Sequence, residues 1–432
     1  MKVPENDDPI SASKLLLVSL LDQIENIINF KGKWGLIKSK LLGLQSQLVD
    51  LSDFPSSLCD PLAIDLIRSV FLTLNDAVSL SRKCQNDGLT EGKLKTQSEL
   101  DAVLAKLNRH VMDSEILIRS GVLQDGAVSS SSSKKEAVRI ESRNLITRLQ
   151  IGTNESKNSA MDSLLGLLQE DDKNVMIAVA QGVVPVLVRL LDSSSLEMKD
   201  KTVAAISRVS MVESSKHVLI AEGLLLLNHL LRVLESGSGF AKEKSCIALQ
   251  ALTFSKENAR AIGSREALVA DGFIARLVSA LNCGVLNVRI AAAKAVYELG
   301  FSLKTRKEMG ECGCIAPLIK MLDGKAVEEK EAGAMALSKL VLYVGNRKVF
   351  QKDERGIVNV VQLLDPLIQN LDKKYPVSIL SELLHSKRCR KQMIAAGACV
   401  HLQKLVEVNI DGAKKLLESL GKGKIWGVFA RP

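Results

Sequence analysis

Apolar residues recur along this chain at intervals of three and four, and the strict two-residue alternation of a half-buried strand is rare. Four amphipathic segments open the sequence, at roughly 13–30, 34–51, 60–85 and 96–119. Leu62, Leu66, Val70 and Leu74 share one helical face, as do Leu100, Val103, Leu104, Leu107 and Val111. Asp60 before Pro61 reads as an N-cap followed by proline at the first helical position. Thr96-Gln-Ser-Glu99 reads as a capping box. Four helices with one apolar face each predict a bundle over residues 1–125. A serine-rich stretch from Gly126 to Lys135 cannot supply a core, so residues 126–134 are expected to be a linker, with a phosphorylation site as the alternative reading.

A second, longer period begins near residue 135. A glycine follows a short helical segment and precedes an apolar one at Gly182, Gly223, Gly272, Gly313, Gly356 and Gly397, with spacings of 41, 49, 41, 43 and 41. The long interval is expected to hold a loop near Asn258–Ala267. Each glycine suits the left-handed residue of a sharp inter-helix turn. A polar turn such as Asp192–Ser195 then precedes a third helix, expected at Thr202–Val212, Lys244–Phe254, Ile290–Phe301 and Lys330–Tyr343. One such unit cannot bury its apolar faces alone, so the units must stack. The predicted fold is all-α: the bundle, then about six to seven repeats over 135–425, then a tail at 426–432.

These marks resemble the Armadillo family, whose superhelical solenoids have a three-helix unit and a period in this range. The resemblance extends to plant Armadillo-repeat proteins, and to the bundle-plus-array part of plant U-box ubiquitin ligases. It rests on the bundle ahead of the array, on Leu149-Gln-Ile-Gly-Thr-Asn-Glu-Ser-Lys157 and on the Lys242-Glu-Lys244 opening of a third helix. The U-box itself is missing, because about ten residues stand where a module of about 70 would lie. The resemblance implies protein–protein binding on a concave surface of third helices, with no catalysis of its own. Two narrower functions remain: substrate recognition in a ubiquitin-ligase pathway, and a peripheral membrane adaptor.

Composition agrees with a helical repeat, with 46% apolar residues and only 3% aromatics. The net charge of +9 is uneven: residues 1–133 carry 14 basic against 17 acidic residues, whereas 385–432 carry 10 against 3. Lys387, Arg388, Arg390 and Lys391 form a compact basic cluster, expected on an exposed turn, with nuclear localisation or anion binding as its functional reading. The tail Lys422–Arg431 is expected to cap the last repeat, or else to engage a membrane surface. The sequence shows no secretory signal or membrane span, and its eight cysteines are scattered. A soluble cytoplasmic and nuclear protein with reduced thiols is therefore expected, with other proteins as its partners. Nucleic acid and small-molecule substrates are not expected.

Nothing calls for catalysis or a cofactor. There is no nucleophile elbow and no phosphate-binding loop. His385, Cys389, Cys399 and His401 fail as a zinc set, since Cys399 and His401 stand two apart on one helix and diverge. Cys312 and Cys314 read as packing thiols. Nuclear-import relatives hold basic peptides on an asparagine ladder, each asparagine one turn from tryptophan. The matching positions here are Arg208, Ala251, Glu298, Lys339 and Glu382, so basic-signal import is not expected. Arg208, Glu298, Lys339 and Glu382 become instead the candidate partner-binding groove.

Overall fold

The computed structural model describes residues 9–85, 92–125, 134–253 and 272–421. All regular elements among them are helical. The serine run 126–133, the expected loop at 258–267 and the tail from 422 onward lie outside the described residues. Packing divides the chain into two compact units, residues 1–186 and 187–432.

The first unit opens with helices α1 (Pro9–Ile24), α2 (Lys31–Ser52), α3 (Pro61–Gln85) and α4 (Lys93–Ser120). Their inward faces bury Leu17, Leu20, Trp34, Leu41, Leu66, Leu74, Leu100 and Leu107 in one core. Each such leucine contributes roughly 1.5–3 kcal/mol of transfer free energy before entropy is subtracted. Asp60 caps α3 as expected, its Oδ1 accepting from Leu62 N and Ala63 N at 2.9 and 3.0 Å.

The third helices of the array begin at Leu196, Gly239, Leu286 and Val327, earlier than the sequence reading places them. In the bundle the end of α1 and the start of α4 also differ. The first helix stops at Ile24 rather than running to residue 30. The amides of Ile28 and Asn29 donate to Cys84 O at 3.4 and 3.1 Å, and Phe30 is left-handed at φ 60°. The capping box at Thr96 does not form, because α4 already begins at Lys93. Thr96 is buried inside the helix, and its hydroxyl donates to Gly92 O at 3.1 Å.

Beyond α5 (Val122–Asp125), helices α6 (Lys134–Ile151) and α7 (Asn154–Glu170) pack against each other like the last two helices of a repeat. Complete three-helix repeats follow. Repeat 1 comprises Asp172–Ala180, Val183–Leu190 and Leu196–Ser210. Repeat 2 comprises Lys216–Ala221, Gly223–Ser236 and Gly239–Thr253. Repeat 3 shows its second and third helices, Phe273–Leu281 and Leu286–Leu299. Repeat 4 comprises Leu303–Glu311, Ile315–Leu322 and Val327–Leu340. Repeat 5 comprises Val344–Phe350, Gly356–Gln362 and Lys374–Leu383. Repeat 6 comprises Lys387–Ala395, Ala398–Glu407 and Ala413–Gly421.

Five of the six marker glycines are left-handed, with φ between 62° at Gly223 and 91° at Gly313. Gly356 is the exception. Asp353 Oδ1 makes that turn by accepting from Arg355 N and Gly356 N at 3.0 and 2.8 Å. A Cβ there would crowd the Phe350 ring at 3.1 Å, which favours glycine.

Candidate protein-binding face

Within the 187–432 unit, the third helices of successive repeats pack side by side. Fully buried alanines at one register position, Ala205, Ala248, Ala295 and Ala336, let these helices approach closely. Three residues after each alanine comes the candidate ladder: Arg208, Ala251, Glu298 and Lys339, continued by Glu382 in repeat 5. All five are partly exposed. The sequence register therefore places one ladder residue on each of five consecutive third helices.

The structure adds partners that periodicity cannot show. Arg347, on the first helix of repeat 5, forms an ion pair with Glu382. Lys339 Nζ lies 5.0 Å from the centroid of the Tyr297 ring, a cation–π contact. Tyr297 meets Tyr375 edge-on, with centroids 6.1 Å apart and planes at 76°, although the third helix of repeat 4 lies between their parent helices in chain order. Lys374 stands 4.9 Å over Tyr375 and 2.7 Å from Asp372. Partial burial raises the Glu298 carboxyl above its usual range, while Lys339 and Lys216 pull it the other way.

Arg347, Tyr297 and Tyr375 were missed because none occupies the ladder register. A compositional signal was available, since the chain has only three tyrosines and all fall at 297, 343 and 375. The four basic residues at 387–391 occupy the start of a helix, Lys387–Ala395, and not a turn. Ser386 caps that helix, its hydroxyl accepting from Cys389 N at 3.3 Å. Lys387, Arg388 and Lys391 are exposed and Arg390 is half-buried. Among the described residues none of the four has an ion pair.

The rejected metal set stays dispersed. His385 is exposed, Cys389 is buried, and Cys399 and His401 sit on the next helix. No group of three or more His, Cys, Asp or Glu side chains among the described residues is arranged to hold a metal. Burial pushes the Cys314 thiol up to about 12, so it behaves as a packing group, while Cys312 is exposed. No single described helix is long and apolar enough to cross a membrane.

The Armadillo/beta-catenin-like repeat family matches residues 171–211, which span the three helices of repeat 1. Repeat 1 is thus similar to an Armadillo repeat. A domain family of unknown function, DUF7032, matches residues 11–122, covering α1 to α4. No significant match was found among curated proteins. An engineered protein of known crystal structure aligns over 93% of this chain and 98% of its own, with 18% identity and a TM-score of 0.57. A designed armadillo repeat protein aligns over 64% of the chain and 97% of its own, with 18% identity and a TM-score of 0.43. Computationally designed armadillo repeat proteins for modular peptide recognition align over 65% and 98%, with 17% identity and a TM-score of 0.43.

Proposed function

We propose that this chain is a non-catalytic protein-binding scaffold, with the bundle (1–125) and the Armadillo array (135–425) as its working parts. The binding face is that of the third helices of repeats 1 to 5. The carrying observation is the pre-set constellation of Lys339, a ladder residue, with Tyr297 and Tyr375 beside the ladder. Glu382 is already neutralised by Arg347, and Glu298 is partly desolvated, so the ladder offers cation and aromatic surface to an acidic segment of a partner. Side chains placed there serve recognition at little cost to packing. Recognition of substrates in a ubiquitin-ligase pathway is a narrower form of this reading and would use the same face. The membrane-adaptor reading draws support from Lys387, Arg388, Arg390 and Lys391, whose charges no described acidic side chain neutralises.

The test is a joint charge reversal, Arg208→Glu with Lys339→Glu, in the full chain. Partners would first be collected by proximity labelling in the native cell and then recovered with purified protein. Affinity should fall at least about tenfold, and its salt dependence should flatten. Thermal stability should change by only about 1 kcal/mol, since both positions are partly exposed. Undiminished recovery at both low and physiological salt would remove this face from the proposal.

A further inference from the structure

The first helices of neighbouring repeats also pack on one another, as those of repeats 4 and 5 show. There the backbones come close: a Cβ on Gly310 would lie 1.7 Å from Asn346 Oδ1. Asn346 is buried at the third position of its helix. Its Nδ2 donates both to Arg306 O on the preceding first helix, at 2.8 Å, and to Leu340 O, at 2.9 Å.

Asn174 holds the same third position in the first helix of repeat 1, and it too is buried. Its Nδ2 donates to Leu167 O at 3.2 Å, the counterpart of the Leu340 bond. Among the described residues the Arg306 bond has no counterpart, and Nδ2 turns instead to Glu170 Oε2 at 3.2 Å. The reason is architectural. The preceding half-repeat, α6 and α7, supplies a second and a third helix, and no first helix precedes α6 among the described residues. Against the flank of repeat 1 lies an open groove of about 900 Å³, bounded by the start of α6 and one face of Asp172–Ala180. Its floor is apolar, formed by Val138, Met176, Ile177 and Ala180, and Met176 is 49% exposed.

We propose that this groove receives a short acidic amphipathic helix from a partner protein, which takes the place of the missing first helix. The size follows from the array, whose own first helices run from six residues (Lys216–Ala221) to nine (Leu303–Glu311). The sign follows from the rim. Lys134, Lys135 and Lys173 are exposed and carry no ion pair among the described residues. The two rim carboxylates are engaged within the fold: Asp171 caps the helix through Lys173 N at 3.1 Å, and Glu170 accepts from Asn174. The preceding segment Gly126-Ala-Val-Ser-Ser-Ser-Ser-Ser133 offers only Ala127 and Val128 as apolar side chains, too few for a helical face. That segment cannot supply the helix, and the proposal assigns it to another chain.

The probe is a lactam-bridged peptide of about fourteen residues, because an unconstrained helix that short is marginal in water. It carries leucine at helical spacing on one face and glutamate elsewhere. Controls are the lysine-for-glutamate version and a scrambled version. With the full chain, anisotropy titration should give saturable binding of the acidic peptide, at least about tenfold tighter than either control. Met176→Glu with Lys135→Glu should abolish it, whereas Lys339→Glu should leave it unchanged. Amides of residues 172–180 should gain hydrogen-exchange protection on binding. Equal affinity for the acidic and lysine peptides, or binding that survives Met176→Glu with Lys135→Glu, would overturn the proposal. Tenfold tighter binding after replacing 126–133 by a glycine–serine sequence would also overturn it, by assigning the groove to the chain's own segment. Loss of binding in Lys339→Glu alone would move the peptide to the third-helix face.

Discussion

Replacing Arg289 by alanine is expected to destabilise the 187–432 unit by about 3–5 kcal/mol. Arg289 lies in the first turn of the third helix of repeat 3, and its Nε donates to Glu329 Oε1 on the third helix of repeat 4 at 2.7 Å. Its Nη1 also donates to Cys283 O and Gly284 O at 2.9 and 3.1 Å, so the guanidinium closes the turn before its own helix. Only 8% of the Glu329 side chain is exposed. Alanine would leave that carboxylate desolvated with no counter-charge, which is the costly half of breaking a buried pair. The paired apolar replacement, Arg289→Met with Glu329→Leu, should recover most of the loss, because neither charge is then buried alone. Urea unfolding of the wild type, both single variants and the double variant gives the coupling directly. An Arg289→Ala loss below about 1 kcal/mol, or a double variant no better than the single, would show that the pair is solvated and adds little to the repeat 3–repeat 4 junction.

The Arg289–Glu329 link also marks where legibility from sequence ends. The repeat was readable because glycine and apolar residues return every forty-odd positions, and because alanines such as Ala295 and Ala336 fix the register of the third helices. That register carries Glu298, Lys339 and Glu382 onto successive third helices. What sat beside them was not readable. Arg347 reaches Glu382 from a separate helix, and Tyr297 reaches Tyr375 past a whole intervening repeat. Such contacts depend on how helices stack, and spacing within one helix carries no record of that. The boundary errors have local causes. Ile27 keeps the apolar period going past the true end of α1, and is buried even though the backbone has already turned. At Thr96 a capping pattern was present, yet Gly92 and Lys93 allowed the helix to start a turn earlier. The groove beside repeat 1 needed the structure, because an absent helix leaves no pattern of its own.

Acidification from pH 7 to pH 5 should selectively weaken the N-terminal bundle through His110. This histidine is 6% exposed on α4, and its Nε2 lies 2.9 Å from Thr73 Oγ1. The Thr73 hydroxyl donates to Ser69 O at 3.0 Å, so it accepts from the imidazole, which is then neutral with its proton on Nε2. Nδ1 is buried with no partner, so a proton placed there would be stranded. Burial is the main cause that lowers the His110 pKa from 6.5 to about 4, and the nearby Lys106 and Arg109 push the same way. A folded value below the unfolded one means that the unfolded chain binds the proton more readily. The stabilising contribution is complete above pH 6.5 and is lost as pH falls toward 4, up to about 3 kcal/mol in all. Trp34, buried in the same bundle, reports its unfolding by fluorescence once Trp426 is replaced by phenylalanine. His110→Gln retains an amide donor for Thr73 and has nothing to titrate. Subtracting its stability curve from that of the parent removes other titrations, including that of His229, whose pKa burial also lowers. The difference should grow steadily between pH 6.5 and pH 5, and parallel curves over that interval would show that His110 takes up its proton without cost in the folded bundle.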